Sequence, residues 1–375
     1  MENMTFSVVG RSSTTAARLG RFSLGSKCIE TPSLVIATTR GCVPHLTPDT
    51  FARTVQPKDF LGIVCSTEYL LEDQSIIPKT CPHSLAKLLG YGESVPVILA
   101  IDDVTYCHNG EPNMTNGLDW VSILNTGGVS QYKVKEDTER FLKHLAPDAI
   151  IAPTDHYNPK IARLKRIRKS TDTTNAYKAV LLETVKQNSM VVPSLMLHSE
   201  NGETEEKQHF VSGEMQKRMD SLKAKLISVM GLESMDTIKS MSASSQKAVC
   251  DSALLVRGVR DAKEVVKIVS AGGDFVDSKF ATDAATKGLA LNIAETGETV
   301  TISLDEECHF EDFTVLDEAC ECIACSGPDK TTKSYLHHLV KSSEMLAYVY
   351  LSSHNIWQLC SLLKKLRKSL DPTNE

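Results

Sequence analysis

A chain of 375 residues with 23% charged side chains and a formal net charge of −6 is long enough to bury a sizeable core, and it carries no global positive field that would draw in a polyanion. Contact with nucleic acid would have to rest on local basic patches or on a partner. No run of eighteen apolar residues occurs, which excludes a helical membrane span of the hydropathy type.

The start, MENMTFSVVGRSSTTAARLGRF, is hydroxyl-rich, with three arginines and Glu2 as its single acid. That is the composition of a transit peptide, yet TFSVV and RLGRFSL also read as opening strands. Eleven cysteines without a secretory leader argue for a reducing compartment, where thiols bind metal or pack as small hydrophobes. From Ser33 to Thr38 an apolar run is bounded by Pro32 and Arg40-Gly41, which suits a first barrel strand. Further strands are expected at Leu61 to Cys65 and in VPVILAIDD (95–103), with a helix at 83–92 between them. Residues 104–133 mix Gly, Asn and Thr and predict a long loop or a pair of hairpins.

A helix at Lys135 to Leu145 and a strand in DAIIAPTDH (148–156) follow. The basic segment 160–172 opens a long helix; its Arg163, Lys165, Arg166, Arg168 and Lys169 suit either a solvated face or contact with RNA phosphates. Strands are then expected at 191–198, 227–232, 253–259 and 274–280, with helices at 215–226, near 243–250 and at 261–272. Roughly eight strands alternating with helices favour a (β/α)₈ TIM-type barrel over an open doubly wound sheet. Neither a G-x-G-x-x-G run nor a P-loop is present. GLALNIA and TVTISLD predict a hairpin after the last strand, and the expected division is a barrel over 1–305 and a metal-binding subdomain with a helical tail over 306–375.

That second region holds Cys320-x-Cys322-x-x-Cys325 and three histidines, His337, His338 and His354. Three thiolates and one imidazole fill the tetrahedral shell of structural zinc. From Lys333 to Ser352 there is no Gly or Pro, and Leu336, Leu339, Val340, Leu346, Ala347 and Tyr350 recur at helical spacing. If one helix runs through, the eighteen residues from Leu336 to His354 make five whole turns, so His354 shares the inward stripe and His338 points away. The competing reading is a reduced thiol cluster beside a core histidine. The C-terminal basic run Lys364, Lys365, Arg367 and Lys368 is a solvated face, an RNA contact or part of a dimer interface.

The C-x-C-x-x-C run followed by SYLHHLVKSSEMLAYVYLSSHN resembles the zinc-binding C-terminal subdomain of the tRNA-guanine transglycosylases, which exchange a guanine base in tRNA for a queuine-type base. Within that family the chain is most similar to the non-catalytic partner subunits. The resemblance implies Cys320, Cys322, Cys325 and His354 as ligands of one structural zinc, although the loop SGPDKTTK after Cys325 is longer than the usual form. It also makes 104–133 a β-rich insertion beside the active site.

Base exchange at a glycosidic carbon needs a carboxylate to attack the ribose and a second group to manage protons. Aligned through GGDFVDS, the family's nucleophile falls on Asp277, and APTDH offers Asp155 as the base-recognising acid. The surroundings depart from the pattern. SKFATDAATKG replaces a C-V-x-P-T-R segment, and ILAIDDVTY replaces D-S-G-G-[FY]-Q, with Ile101 in line with the second acid and Asp102 a shifted substitute. The glutamine expected near 198 and the G-G-L-A-V-G-E run expected near 230 are replaced by LMLHSENGE and LISVMGLES. Asp277 and Asp155 thus read as relics of an incomplete constellation.

The resemblance therefore implies a non-catalytic subunit that pairs with a catalytic queuine tRNA-ribosyltransferase subunit in a heterodimer and meets tRNA through that complex, at the wobble guanosine. A homodimer is left open. The alternative is an active transglycosylase with Asp277 as nucleophile. A zinc hydrolase is disfavoured because four protein ligands leave no position for water. The expected location is the cytoplasm, with peripheral attachment to the mitochondrial outer membrane as the variant.

Overall fold

The computed structural model describes residues 4–39, 41–67, 85–92, 95–101, 117–125, 128–155, 163–185, 190–195, 224–231, 235, 251–327 and 330–371. Strands β1 (Met4–Arg11), β2 (Arg18–Leu24) and β3 (Lys27–Thr31) form a three-stranded sheet. Barrel strands β4 (Ser33–Ala37), β5 (Phe60–Ser66) and β6 (Val97–Ala100) follow, with α1 (Pro48–Thr54) and α2 (Leu85–Leu88) in the intervals. The hairpin of β7 (Trp120–Asn125) and β8 (Gly128–Lys133) leads into α3 (Val134–Leu145) and β9 (Ala149–Ile151). Next come α4 (Leu164–Thr184), β10 (Met190–Val192), β11 (Ser194–Leu195), β12 (Leu226–Met230), β13 (Ala253–Arg257), α5 (Ala262–Ser270), β14 (Phe275–Asp277) and α6 (Lys279–Thr286). The chain ends with the hairpin of β15 (Leu289–Ile293) and β16 (Thr299–Ser303), then α7 (Lys333–Lys341) and α8 (Met345–Leu370).

The large sheet runs in the order β10-β9-β6-β5-β4-β14-β13-β12-β11. Its two outer members belong to one extended segment interrupted by Pro193. Met190 pairs in parallel with Ala149 of β9, while Ser194 pairs in parallel with Ser228 of β12. The two ends of the order therefore meet, and eight parallel strands make a nearly closed barrel of the TIM type. Proline has no ladder donor, and Pro193 sits where the segment changes partner, its carbonyl accepting from Ser228 N at 2.9 Å.

The sequence dictates this closure through continuous apolar strands. LVIA, VILA, AII and LISVM are buried almost throughout, as expected for parallel strands covered on both faces. Gly62 in β5 is needed for close approach: a Cβ there would lie 2.4 Å from the carbonyl oxygen of Pro96.

Two compact units divide the chain, one of Met1–Ser7, Phe22–Cys28 and Gly62–Gly258, the other of Val8–Arg21, Ile29–Leu61 and Val259–Glu375. In the first, Tyr177 of α4 donates its hydroxyl to Gly117 O and Trp120 O, holding the start of the β7–β8 hairpin. In the second, β4 and β14 pair in parallel with Phe275 opposite Ser33. The buried Asp274 that precedes β14 accepts from Arg18 Nε at 3.0 Å and Arg18 Nη2 at 2.5 Å.

The C-terminal tail belongs to this second unit. Arg367 donates to Pro32 O at 2.6 Å and to Asp59 at 3.3 Å, and Lys364 reaches the same carboxylate at 2.8 Å. Lys365 pairs with Glu295 at 3.5 Å, so three of the four residues of the C-terminal basic run take part in internal ion pairs. No described helix is long and apolar enough to cross a membrane.

Two expectations are corrected. The helix expected to run unbroken from Lys333 is two helices, parted at 342–344, where Ser343 takes φ 55 and Glu344 N bonds back to Leu339 O at 2.9 Å. The polar KSSE offers no apolar face to bury, and serine is a poor helix former, so the stripe breaks there. The strand expected at 274–280 ends at Asp277, because Lys279 already starts α6. The helices expected at 215–226 and 243–250 lie outside the described residues, apart from Ala224, Lys225 and Leu226 at the entrance to β12.

Candidate metal centre and the acidic residues at the strand ends

Cys320, Cys322, Cys325 and His354 come together with their ligand atoms within 4.8 Å of one another, all four buried. His354 Nδ1 lies 3.4, 3.8 and 3.5 Å from the sulfurs of Cys320, Cys322 and Cys325. Bonds of about 2.3 Å to sulfur and about 2.0–2.1 Å to nitrogen, at a tetrahedral angle, give an S···N edge of about 3.6 Å. The observed spacings bracket that edge. The group can hold a metal ion.

Each ligand is set by its local chain. Cys320 N donates to Asp317 O, and Ser326 returns both its N–H and its hydroxyl to Cys322 O. Gly327 permits the turn after the third thiol, since a Cβ there would lie 2.8 Å from Ile323 O. His354 comes from the buried stripe of α8. Its Nε2–H donates to Asn292 Oδ1 at 2.9 Å, which turns Nδ1 toward the sulfurs, and Asn292 is fixed in turn by its own bond to Leu316 O at 2.8 Å. The neighbours of His354 on α8 dock the helix on β15: Asn355 Oδ1 accepts from Leu291 N, and Gln358 Oε1 accepts from Ile293 N.

The other two histidines are excluded as ligands on contact grounds. His337 is buried but donates Nδ1–H to Leu304 O at 2.8 Å, and His338 is exposed.

Without a cation the thiols share protons unevenly. Hydrogen bonds from Cys320 and Cys322, with the His354 imidazole adjacent, hold Cys325 well below the ordinary thiol range. Hydrogen bonds to Cys322 and Cys325, together with burial, push Cys320 up. One thiolate is supported by the fold alone, so cation binding must displace protons from its neighbours and weakens as pH falls.

Asp277 ends β14 at the carboxyl edge of its strand, in register with Val35, and is buried. Its Oδ1 accepts from Lys279 N at 3.2 Å, while the Lys279 ammonium pairs with Asp283 instead. Asp155 lies just beyond β9. Its two oxygens are held by Arg166, Nη1 to Oδ2 at 2.5 Å and Nη2 to Oδ1 at 2.9 Å. Thr174 supports its N–H at 3.1 Å and Ser170 donates to its carbonyl. Of the basic residues at 163–169, Arg166 is thereby turned inward and the other four are exposed. Asp102 lies outside the described residues, as do 196–203 and 232–234, whereas Leu226–Met230 form β12. Sequence reasoning missed Asn292 and the Arg166–Asp155 pair, neither of which carries a local motif.

A barrel of eight parallel strands with a buried Cys₃His group able to hold a metal ion, carboxylates at its strand ends and no Gly-rich phosphate-binding motif in its sequence defines an α/β-barrel class. A family profile described as queuine tRNA-ribosyltransferase matches residues 12–373, and the chain belongs to that family. Similar curated proteins include queuine tRNA-ribosyltransferase accessory subunit 2 of Aedes aegypti, 23% identical over 95% of this chain and 87% of that protein. Its namesake in Ixodes scapularis is 26% identical over 97% of each chain. The Trichoplax adhaerens protein of the same name is 26% identical over 95% of this chain and 93% of its own length.

Proposed function

We propose that the chain is the non-catalytic subunit of a heteromeric queuine tRNA-ribosyltransferase, supporting exchange of guanine for queuine at the wobble position of tRNA. The observation that carries this reading is the Asp155 carboxylate, the acid matched to base recognition, whose two oxygens are occupied by Arg166 of the same chain. A carboxylate that is 1% exposed and already paired with an arginine of its own chain is poorly placed to receive a purine edge. Asp277 keeps its strand-end position but stands without the segments that the resemblance associates with a working nucleophile. The names of the relatives support the same assignment.

In this reading the Cys₃His group binds one structural zinc. Four protein ligands close the shell, and the metal ties the 306–375 subdomain together rather than activating water. The functional division is a barrel through residue 305 and the zinc subdomain beyond it. The partner is a catalytic subunit in a 1:1 heterodimer, tRNA is met through that complex, and the location is the cytoplasm.

The test is queuine exchange into tRNA by the purified chain, alone and mixed with a catalytic subunit, with zinc measured on the same sample. Inactivity alone, activity on mixing and a 1:1 complex are expected. Turnover by the chain alone that is lost in Asp277→Ala would overturn the accessory reading.

A further inference from the structure

A second group of ligand atoms lies in the turn that leaves the β15–β16 hairpin. Glu306, Cys308 and His309 hold a carboxylate oxygen, a thiol and a ring nitrogen within 4.8 Å of one another, with Glu306 and Cys308 exposed and His309 half-buried. The Cys308 Sγ to Glu306 Oε2 separation is 3.8 Å. For zinc bonds of about 2.3 Å to sulfur and about 2.1 Å to oxygen, the tetrahedral S···O edge is about 3.6 Å, so the pair already stands near ligating distance.

The surroundings single out these three side chains. Lys341 pairs with Asp305 at 3.0 Å and Glu307 at 3.3 Å, and Lys333 pairs with Asp312 at 3.1 Å. Glu306 alternates with the neutralised acids and has no basic partner among the described residues. His309 Nδ1 is screened from solvent without a hydrogen-bond partner. Its nearest acid, Asp312 Oδ2, stands at 3.8 Å, beyond hydrogen-bond reach. A shielded imidazole nitrogen without a partner is costly unless something binds it.

The turn is also rigid. His309 N bonds to Glu306 O and Asp312 N to His309 O, and Ser334 of α7 donates its hydroxyl to Phe310 O at 2.6 Å and its N–H to Asp312 O at 2.7 Å. The side chains are therefore presented on a fixed backbone.

We propose that Glu306, Cys308 and His309 form a second site for a divalent cation of the zinc class, open to solvent and separate from the buried Cys₃His group. A thiolate, an imidazole and a carboxylate select a borderline-soft ion over magnesium or calcium. Three protein ligands leave a fourth position for water, so this ion exchanges readily whereas the buried one does not. The site stands independently of the functional reading above.

The experiment is a zinc titration of the full chain whose buried site is already loaded, read by metal content after gel filtration and by alkylation of Cys308 followed by peptide mass spectrometry. Two zinc ions per wild-type chain are expected, and one in Cys308→Ser and in His309→Ala, with an unchanged melting temperature showing that the buried site is intact. Affinity for the second ion should fall at least about 100-fold in these variants, the upper end of what loss of a supporting partner costs. Zinc should also protect Cys308 from alkylation in the wild type but not in His309→Ala. A stoichiometry of one in the wild type, or a second ion that survives both substitutions, would overturn the proposal.

Discussion

Asn292 shows how much one uncharged side chain contributes at a metal centre. It accepts from His354 Nε2 and is itself tied to Leu316 O, so Asn292→Ala frees the ring to rotate while leaving all four ligands in place. Metal affinity should drop by about 10–100-fold, which competition with a chromophoric chelator measures directly. Arg166 is a second such residue. Asp155 is almost wholly buried and Arg166 one-third exposed, so Arg166→Ala strands a buried carboxylate. Breaking a fully buried pair costs about 3–5 kcal/mol, and solvent access on the arginine side reduces the expected loss to roughly 1–3 kcal/mol. Urea midpoints should show the loss, and adding Asp155→Asn should restore part of it.

Asp312 belongs to the same scale. Hydrogen bonds from the Thr314 hydroxyl and N–H, with Lys333 adjacent, hold its pKa down to about 2. A depressed carboxylate stabilises the fold above its unfolded value of about 3.9 and loses that contribution as pH falls toward 2. Melting temperature should therefore fall between about pH 4 and pH 2, and Asp312→Asn should flatten that part of the profile.

At the level of elements, the instructive contact is between α8 and β15. One edge of β15 is paired with β16, and the other has N–H groups that would be orphaned in the core. Polar side chains of α8 take the place of a neighbouring strand: Asn355 accepts from Leu291 N and donates to Ala281 O and Leu289 O, each donation at 3.0 Å. Asn355→Ala would orphan several buried backbone groups at once. With about 1–3 kcal/mol for each group that stays unpaired, a loss of roughly 2–4 kcal/mol is expected in chemical denaturation, with the three thiols and His354 chemically unchanged. The break between α7 and α8 serves the same docking, because the left-handed Ser343 lets α8 leave on its own axis.

For the molecule as a whole, the parts legible in the sequence were those whose signal is local or periodic. The barrel strands could be read because burial on both faces makes them continuously apolar, and the thiols because they fall within six residues. His354 was named through the resemblance and through a count of turns along one unbroken helix, and that count does not apply because the helix carrying it starts afresh at Met345. The pairing of Arg166 with Asp155, the support of His354 by Asn292 and the docking of Lys364 and Arg367 on Asp59 were not legible. Each joins segments that only the completed fold brings together, and a charge run looks the same whether it meets water or a buried carboxylate. The second thiol and imidazole group was overlooked for a related reason: Glu306-x-Cys308-His309 has no recognised ligand spacing.

Helix α8 spans the second compact unit without interruption, with His354 on the thiols and Arg367 on Pro32 O and Asp59. Thirteen residues separate these contacts, about 20 Å of helix at about 1.5 Å per residue. A stiff rod pinned at both points transmits strain from one to the other, so a metal held by the Cys₃His group would act as a remote fastener for the segment that leads into β4. Stripping the metal should speed amide hydrogen exchange at Ser33 to Ala37 as well as around the thiols, whereas the hairpin of β7 and β8, in the other unit, should keep its protection.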